Sequence, residues 1–282
     1  FEYILKLLSQ TGRVNGLLGL NDDITSTLYN KLKNALISTI RDIHPRHEQV
    51  ESQLLPMAEF MKNFSTVLSL NYDLLVYWAM LKGNDTYGKW FKDGFVEEGR
   101  FDNNYDGLRE PYRAEGTTMV FYPHGNLILA TGLFGDEVKL IKSGEPYLID
   151  KILETWTERD YIPLFVSEGG TEEKLQAIRR SNYLKTVYDC EVDTTNHSLV
   201  VYGWSFRDED EHILKGILHG GVENIAISVH GTSTDAQSFC ETIDHKITKM
   251  YYTLKKLRKC KLFFFDSKSD DVWVNKLEEI TF

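Results

Sequence analysis

Two stretches of the sequence decide its interpretation: Ser69-Leu70-Asn71-Tyr72-Asp73 and Tyr122-Pro123-His124-Gly125. Each follows an apolar run typical of a buried strand, so polar side chains stand where the strands end. In open α/β sheets, ligands bind at the carboxyl ends of the strands. A third stretch, Tyr202-Gly203-Trp204-Ser205-Phe206, ends another apolar run in the same way. Together, the three stretches predict a nucleotide site.

Helical and strand patterns alternate along the rest of the chain. Residues 1–62 carry apolar residues at helical spacing and predict a flanking helical layer or a lid. Five or six short apolar strands alternate with helices after that, which is typical of a parallel α/β sheet. We therefore predict a single α/β domain over residues 1–282, with a Rossmann-like, mostly parallel sheet flanked by helices and a helical N-terminal region.

Three local patterns give more detailed predictions. Residues 82–116 are polar and rich in Gly, Asn, Asp and Tyr, which indicates a loop insertion, and residues 117–129 resemble a β-hairpin. Residues 171–188 predict one uninterrupted helix. Asp208, with Glu211 three residues later, resembles a capping box at the start of another helix.

Composition excludes several classes of protein. The formal net charge is −10, which disfavours general binding to nucleic acids. No apolar run approaches the roughly 18 residues of a transmembrane helix, so we expect no membrane partner. Three scattered cysteines favour a reducing cytoplasm, and the lack of a Cys-x-x-Cys pair argues against a zinc ribbon, so no metal is expected.

The strand-end residues suit nucleotide chemistry, although each also has a structural explanation. His124 can accept a proton near neutral pH, or it can stabilise the hairpin through a backbone hydrogen bond. Asn71 can donate and accept hydrogen bonds, and Asp73 can bind a ligand or cap the following helix. Gly203 allows a ligand to approach and Ser205 can bind ribose or phosphate, but both also fit an ordinary strand-to-helix turn.

Charged and histidine residues elsewhere refine this prediction. Four acids in residues 208–211 would oppose a phosphate, so we expect sugar hydroxyls near that turn, with Arg207 as an exception. His230 follows a further strand and can line the crevice of the predicted nucleotide site. His44 and His47 lack metal-ligand spacing and are interpreted as surface residues.

The order Asn71-Tyr72-Asp73, Tyr122-Pro123-His124-Gly125 and Val201-Tyr202-Gly203-Trp204-Ser205-Phe206 resembles the sirtuin-like NAD-binding superfamily. The resemblance covers about residues 1 to 273. It is greatest to a bacterial domain-of-unknown-function branch without the zinc ribbon. It implies NAD as ligand or substrate, catalytic roles for His124 and Asn71, and cofactor contacts from Asp73, Gly203 and Ser205.

The resemblance also implies an activity, namely hydrolysis of NAD to nicotinamide and ADP-ribose. By analogy, it implies a role as an effector in bacterial anti-phage defence, controlled by an activating partner or by homo-oligomer assembly. The family's Gly-rich pyrophosphate motif does not occur in the sequence, and we expect it upstream of Phe1. Two alternatives stay open: a catalytically silent nucleotide-sensing or interaction module, and an enzyme acting on another nucleoside.

Overall fold

Helices and small sheets, two parallel and one antiparallel, make up the described part of the chain in this computed structural model. It describes residues 2–20, 22–96, 99–109, 117–132, 135–140, 148–158, 161–166, 170–231, 233–255 and 259–275. Internal contacts group the chain into unit 1, Phe1–Ala58 with Phe64–Glu168, and unit 2, Glu59–Asn63 with Gly169–Phe282. A single domain over residues 1–282 stays a prediction.

Unit 1 begins with three helices. Asp22 caps the second helix by accepting a hydrogen bond from the Thr25 N–H, and the second helix ends where His44 takes an extended conformation before Pro45. The helices are α1 (Glu2–Leu17), α2 (Asp23–Ile43) and α3 (His47–Met61), the last turn of α3 belonging to unit 2.

A three-stranded parallel sheet follows in unit 1. Its order is β1-β3-β2, and the register pairs Leu68 of β1 with Phe121 of β3. All four residues of β3 are buried, as expected for a central strand covered on both faces. The elements are β1 (Thr66–Leu68), α4 (Leu75–Tyr87), β2 (Phe91–Lys92) and β3 (Thr118–Phe121).

The predicted hairpin over residues 117–129 is wrong. The strand after Gly125 does not pair with β3 but enters a separate antiparallel sheet of order β5-β4-β6. The backbone of Gly125 is left-handed, with a φ of +83°, and lies against Leu164, so the chain passes from one sheet to the other. The remaining elements of unit 1 are β4 (Gly125–Thr131), β5 (Glu137–Lys139), α5 (Leu148–Glu158) and β6 (Ile162–Phe165).

The segment 82–116 is more regular than a loop insertion where the structure describes it. Helix α4 continues to Tyr87, and strand β2 pairs with β3. Asn84 holds this strand from the helix, because its side chain accepts from the Phe91 N–H at 2.7 Å and donates to the Phe91 carbonyl at 3.0 Å. Residues 97–98 and 110–116 lie outside the described residues.

Unit 2 contains a second parallel sheet. Its order is β7-β8-β9, and the three strands begin level with one another, with Ser198, Asn224 and Lys261 in one row, whereas β8 and β9 continue two residues beyond the end of β7. Helices flank the sheet, and buried apolar side chains such as Ile227 and Ile247 form the core. The elements are α6 (Thr171–Arg180), α7 (Asn182–Val187), a π-helical turn (Tyr188–Val192), β7 (Ser198–Val201), a 3-10 turn (Asp208–Asp210), α8 (Glu211–Gly220), β8 (Asn224–Val229), α9 (Thr234–Thr253) and β9 (Lys261–Asp266).

Two detailed predictions for unit 2 are wrong. Ser181 divides the helix predicted over residues 171–188, because its extended backbone ends α6 and its hydroxyl accepts the Leu184 N–H at the start of α7. No capping box forms at Asp208, because its carboxylate pairs with Lys246 at 2.6 Å.

None of the helices in the described ranges combines the length and the apolar character needed to cross a bilayer.

A buried ion pair joins two parts of unit 1. The Lys139 ammonium on β5 lies 2.6 Å from the carboxylate of Asp93, which follows β2, and these side chains are 12% and 7% exposed. Lys139 also lies over the rings of Tyr77 and Phe95. Burial, and secondarily the charge of Asp93, raises the pKa of Tyr77 well above its usual range.

Replacing Lys139 with methionine should destabilise unit 1 by about 3 kcal/mol, because it leaves the Asp93 carboxylate buried without its partner. Thermal unfolding measures the effect as a lowered midpoint. The control is Lys185→Met, which removes the solvent-exposed pair with Asp189 in unit 2 and should leave the midpoint unchanged. Equal midpoints for Lys139→Met and the parent protein would contradict the expectation.

Candidate functional site

The first two strand-end stretches meet at one edge of the unit 1 sheet. Because β1 and β3 run parallel and end together, the residues that follow them emerge side by side. The Ser69 N–H donates to the Phe121 carbonyl at 2.9 Å, which continues the pairing beyond β1. Farther along, the Leu127 N–H donates to the Tyr72 carbonyl at 3.0 Å. The structure therefore brings the Asn71 stretch and the His124 stretch together.

Asn126 locks the two stretches together. Its buried side chain donates to the Asp73 carbonyl at 2.6 Å and accepts from the Ile128 N–H at 3.1 Å. Asn126 is the residue after Gly125, and sequence reasoning missed its role. A polar residue in an otherwise apolar strand is a local signal that could have indicated it.

The two predicted catalytic residues differ in exposure. The side chain of Asn71 is exposed, whereas His124 is only 2% exposed. The backbone around His124 is held on both sides, because its carbonyl accepts the Val166 N–H at 2.8 Å and the next residue, Gly125, donates to the Tyr122 carbonyl. Of the two residues, only Asn71 is open to a ligand approaching from solvent.

Asp73 contributes to the start of α4. Its carboxylate accepts a hydrogen bond from the Leu75 N–H at 2.9 Å, but Asp73 lies one residue before the cap position, which Leu74 occupies. Asp73 therefore stabilises the start of α4, as its structural explanation predicts, but from the residue before the cap position. Its side chain remains partly exposed.

His44, interpreted from sequence as a surface residue, supports the same helix. Its Nε2 accepts the Leu74 N–H at 2.9 Å, and its Nδ1–H donates to the Pro45 carbonyl at 2.7 Å. These two bonds require a neutral imidazole. Burial lowers the pKa of His44, opposed by the Pro45 hydrogen bond and the negative charge of Asp73. This contact spans 30 residues, so no local pattern indicated it.

The third stretch lies in unit 2 and lines a cavity of about 420 Å³ at the carboxyl edge of the second sheet. Gly203 and Ser205 follow β7, His230 follows β8 and Ser267 follows β9. His230 thus lines the same cavity as Gly203 and Ser205. The other lining residues are Tyr202, Trp204, Ser228, Val229, Asp235, Ala236 and Phe239.

Hydrogen bonds and ring contacts fix the wall of this cavity. The Gly203 N–H donates to the Ser228 hydroxyl at 3.1 Å, and Gly203 has a φ of +71°. Trp204 stacks on Phe206 at 4.1 Å between ring centroids. Sequence reasoning missed Ser228, Ser267 and Asp235; the serine inside the apolar β8 run was a usable signal. The cavity can hold a ligand with hydroxyl groups and a planar ring.

The site residues therefore fall into two sets. Asn71, Asp73 and His124 belong to unit 1, and Gly203 and Ser205 belong to unit 2.

Comparison with known families then identifies the chain. A family model described as Domain of unknown function (DUF4917) matches residues 1–273. The chain belongs to the DUF4917 family. No curated protein matches it. The DUF4917 match includes all three strand-end stretches.

Glycine should be required at position 125 of this DUF4917 protein. A Cβ there would lie 2.0 Å from the Leu164 carbonyl oxygen, and the backbone is left-handed as well. Gly125→Ala should therefore cost about 3 kcal/mol or more, measured by chemical unfolding. Gly203→Ala is the matched control, because its Cβ meets no atom within 4 Å and only the left-handed backbone costs about 1 kcal/mol. A larger loss for Gly203→Ala would contradict this expectation.

Mild acid should weaken unit 1 through His44. The unfolded chain binds a proton at His44 near the usual pKa of 6.5, whereas the folded chain does so only at lower pH. The stability that neutral His44 contributes is thus complete above 6.5 and is lost as the pH falls below it. Thermal midpoints at pH 7 and pH 5.5 should differ less in His44→Gln than in the parent protein. His47→Gln should keep the full difference, and an unchanged difference in His44→Gln would refute the role of His44.

Proposed function

We propose that this DUF4917 protein binds NAD on a Rossmann-like fold and hydrolyses its bond to nicotinamide. The unit 2 cavity is the observation that carries the proposal, since it collects Gly203, Ser205 and His230 at the carboxyl edge of a parallel sheet. Ligands of α/β proteins bind at that edge. The resemblance to sirtuin-like proteins assigns Gly203 and Ser205 to the adenosine part of NAD.

Unit 1 supports the same proposal through the joined strand-end stretches. The resemblance assigns Asn71 to the nicotinamide ribose and Asp73 to the carboxamide. Asn71 is exposed and its amide can orient a ribose hydroxyl or a water molecule. A backbone hydrogen bond from Leu127 and a side-chain hydrogen bond from Asn126 hold this stretch in place, so Asn71 lies on a fixed scaffold.

The proposed reaction consumes one water molecule. The glycosidic C–N bond of NAD breaks, nicotinamide leaves with the electron pair, and an oxocarbenium-like ribosyl centre forms. Water adds to that centre, and His124 accepts the proton released by the water before passing it to solvent. The products are nicotinamide, ADP-ribose and a proton. Because His124 is 2% exposed, this role requires NAD binding to open a path to the imidazole.

Nicotinamide release from NAD by the full-length protein tests the proposal. His124→Ala and Asn71→Ala should each lower turnover, the former by about 100-fold or more, because a positioned general base contributes at least that much. His124→Gln repeats the test with a side chain of similar size, in case the smaller alanine unfolds unit 1. The exposed His245→Ala variant serves as the matched control and should retain full turnover. Undiminished turnover in folded His124→Ala and His124→Gln would exclude His124 as the base.

A second candidate function is a catalytically silent nucleotide-sensing module. The burial of His124 favours it, because a general base must reach the proton that it abstracts. Calorimetry with NAD separates the two candidates. Binding without nicotinamide release, unchanged by His124→Ala, would establish the sensor. Turnover that depends on His124 would exclude it.

A further inference from the structure

The lining of the unit 2 cavity contains an acidic side chain but, among the described residues, no lysine or arginine. Its polar side chains are three serine hydroxyls, the phenol of Tyr202, the indole of Trp204, the His230 imidazole and the Asp235 carboxylate. Arg207, the cation that the sequence placed nearest to this turn, is exposed and is not part of the lining. The cavity therefore offers a carboxylate but no guanidinium or ammonium group.

Asp235 differs from the other acids around the third stretch. Asp208 pairs with Lys246 at 2.6 Å, and Asp210 pairs with Lys174 at 2.8 Å. Within the described part of unit 2, no hydrogen bond or ion pair engages the Asp235 carboxylate. None of the acids at 208–211 lines the cavity, so the lining acid that can meet a ligand there is Asp235.

The position of Asp235 also affects how the cavity treats anions. Asp235 lies in the first turn of the 20-residue helix α9, whose N-terminal N–H groups attract negative charge. Its own carboxylate supplies a negative charge there and opposes a second one. A ligand phosphate next to Asp235 would meet repulsion that no described cation of the lining offsets.

A carboxylate accepts hydrogen bonds and donates none, so its natural partners in a nucleotide are sugar hydroxyls. Carboxylate contacts to a ribose 2′-hydroxyl are how many dinucleotide sites select NAD, and an arginine accommodates the 2′-phosphate of NADP. The serine hydroxyls of the cavity donate and accept, which adds further partners for a ribose. The side chains of the cavity therefore suit a ribose whose 2′-hydroxyl carries no phosphate.

We propose that Asp235 sets the nucleotide selectivity of the protein, so that the unit 2 cavity accepts a ribose with a free 2′-hydroxyl and rejects a 2′-phosphate. The ligand class is adenine nucleosides and dinucleotides without a 2′-phosphate, which includes NAD and excludes NADP. The assignment of the cavity to NAD rests on the proposed function, whereas the selectivity against a 2′-phosphate rests on Asp235 and the other residues of the lining.

Calorimetric titrations with two pairs of ligands test this proposal: NAD against NADP, and adenosine against adenosine 2′-monophosphate. In each pair, the ligand without the 2′-phosphate should have a dissociation constant lower by about tenfold or more, because the Asp235 carboxylate repels the negative charge of a 2′-phosphate. Asp235→Asn keeps the shape of the side chain and removes its charge. It should therefore bring the ratio of the two dissociation constants closer to one in both ligand pairs. Asp244→Asn is the matched control, because Asp244 lies on the same helix but not in the cavity lining, and both ratios should stay as in the parent protein.

The outcomes separate this proposal from the NAD glycohydrolase. If NAD binds but NADP binds equally well, or if Asp235→Asn leaves both ratios unchanged, the role of Asp235 is overturned while NAD binding stands. If NAD does not bind but adenosine is still preferred over its 2′-phosphate through Asp235, the proposed function fails and the ribose selectivity stands. If neither adenosine nor NAD binds, both proposals are overturned.

Discussion

The parallel pairing of β1 with β3 is the constraint on which the unit 1 site depends. Its register pairs Leu68 with Phe121, so the stretches after both strands start at the same level. A slip of one residue would turn every side chain of the strand to the opposite face. The pairing continues past the strands through backbone bonds at Ser69 and Leu127, which hold the Asn71 stretch against the stretch that contains His124.

Unit 2 also places polar residues at the ends of its parallel strands, but its strand order, β7-β8-β9, differs from the β1-β3-β2 order of unit 1. Its three parallel strands pair residue for residue, with Val201, Ile227 and Phe264 in one row. The residues just past this row bring hydroxyl groups to one edge, and Ser228 receives the Gly203 N–H there. The cavity is thus lined by residues at the ends of the three strands and by the first turns of α9, so its shape depends on strand register and on the position of that helix.

Local patterns predicted where strands end but not which strands pair. An apolar run followed by a polar residue is visible within six residues, and it located Asn71, His124 and Gly203. The predicted hairpin after Thr117 failed because sequence neighbours do not always pair, and the contact of Gly125 with Leu164 sends the chain into another sheet. The bond of His44 to Leu74 spans 30 residues, and short patterns contain no information about such contacts.

The acids near the third stretch show why position matters more than the number of charges. From the sequence, four acids at residues 208–211 oppose a phosphate, but Lys174 and Lys246 pair with two of them. Lys246 lies on α9, the helix that also carries the unpaired Asp235. Exposed charges are screened over about 8 Å in physiological salt, so an acid in the cavity wall influences a ligand there more than the two paired acids outside it. In the proposed ribose site, the choice between a sugar hydroxyl and a phosphate thus depends on Asp235.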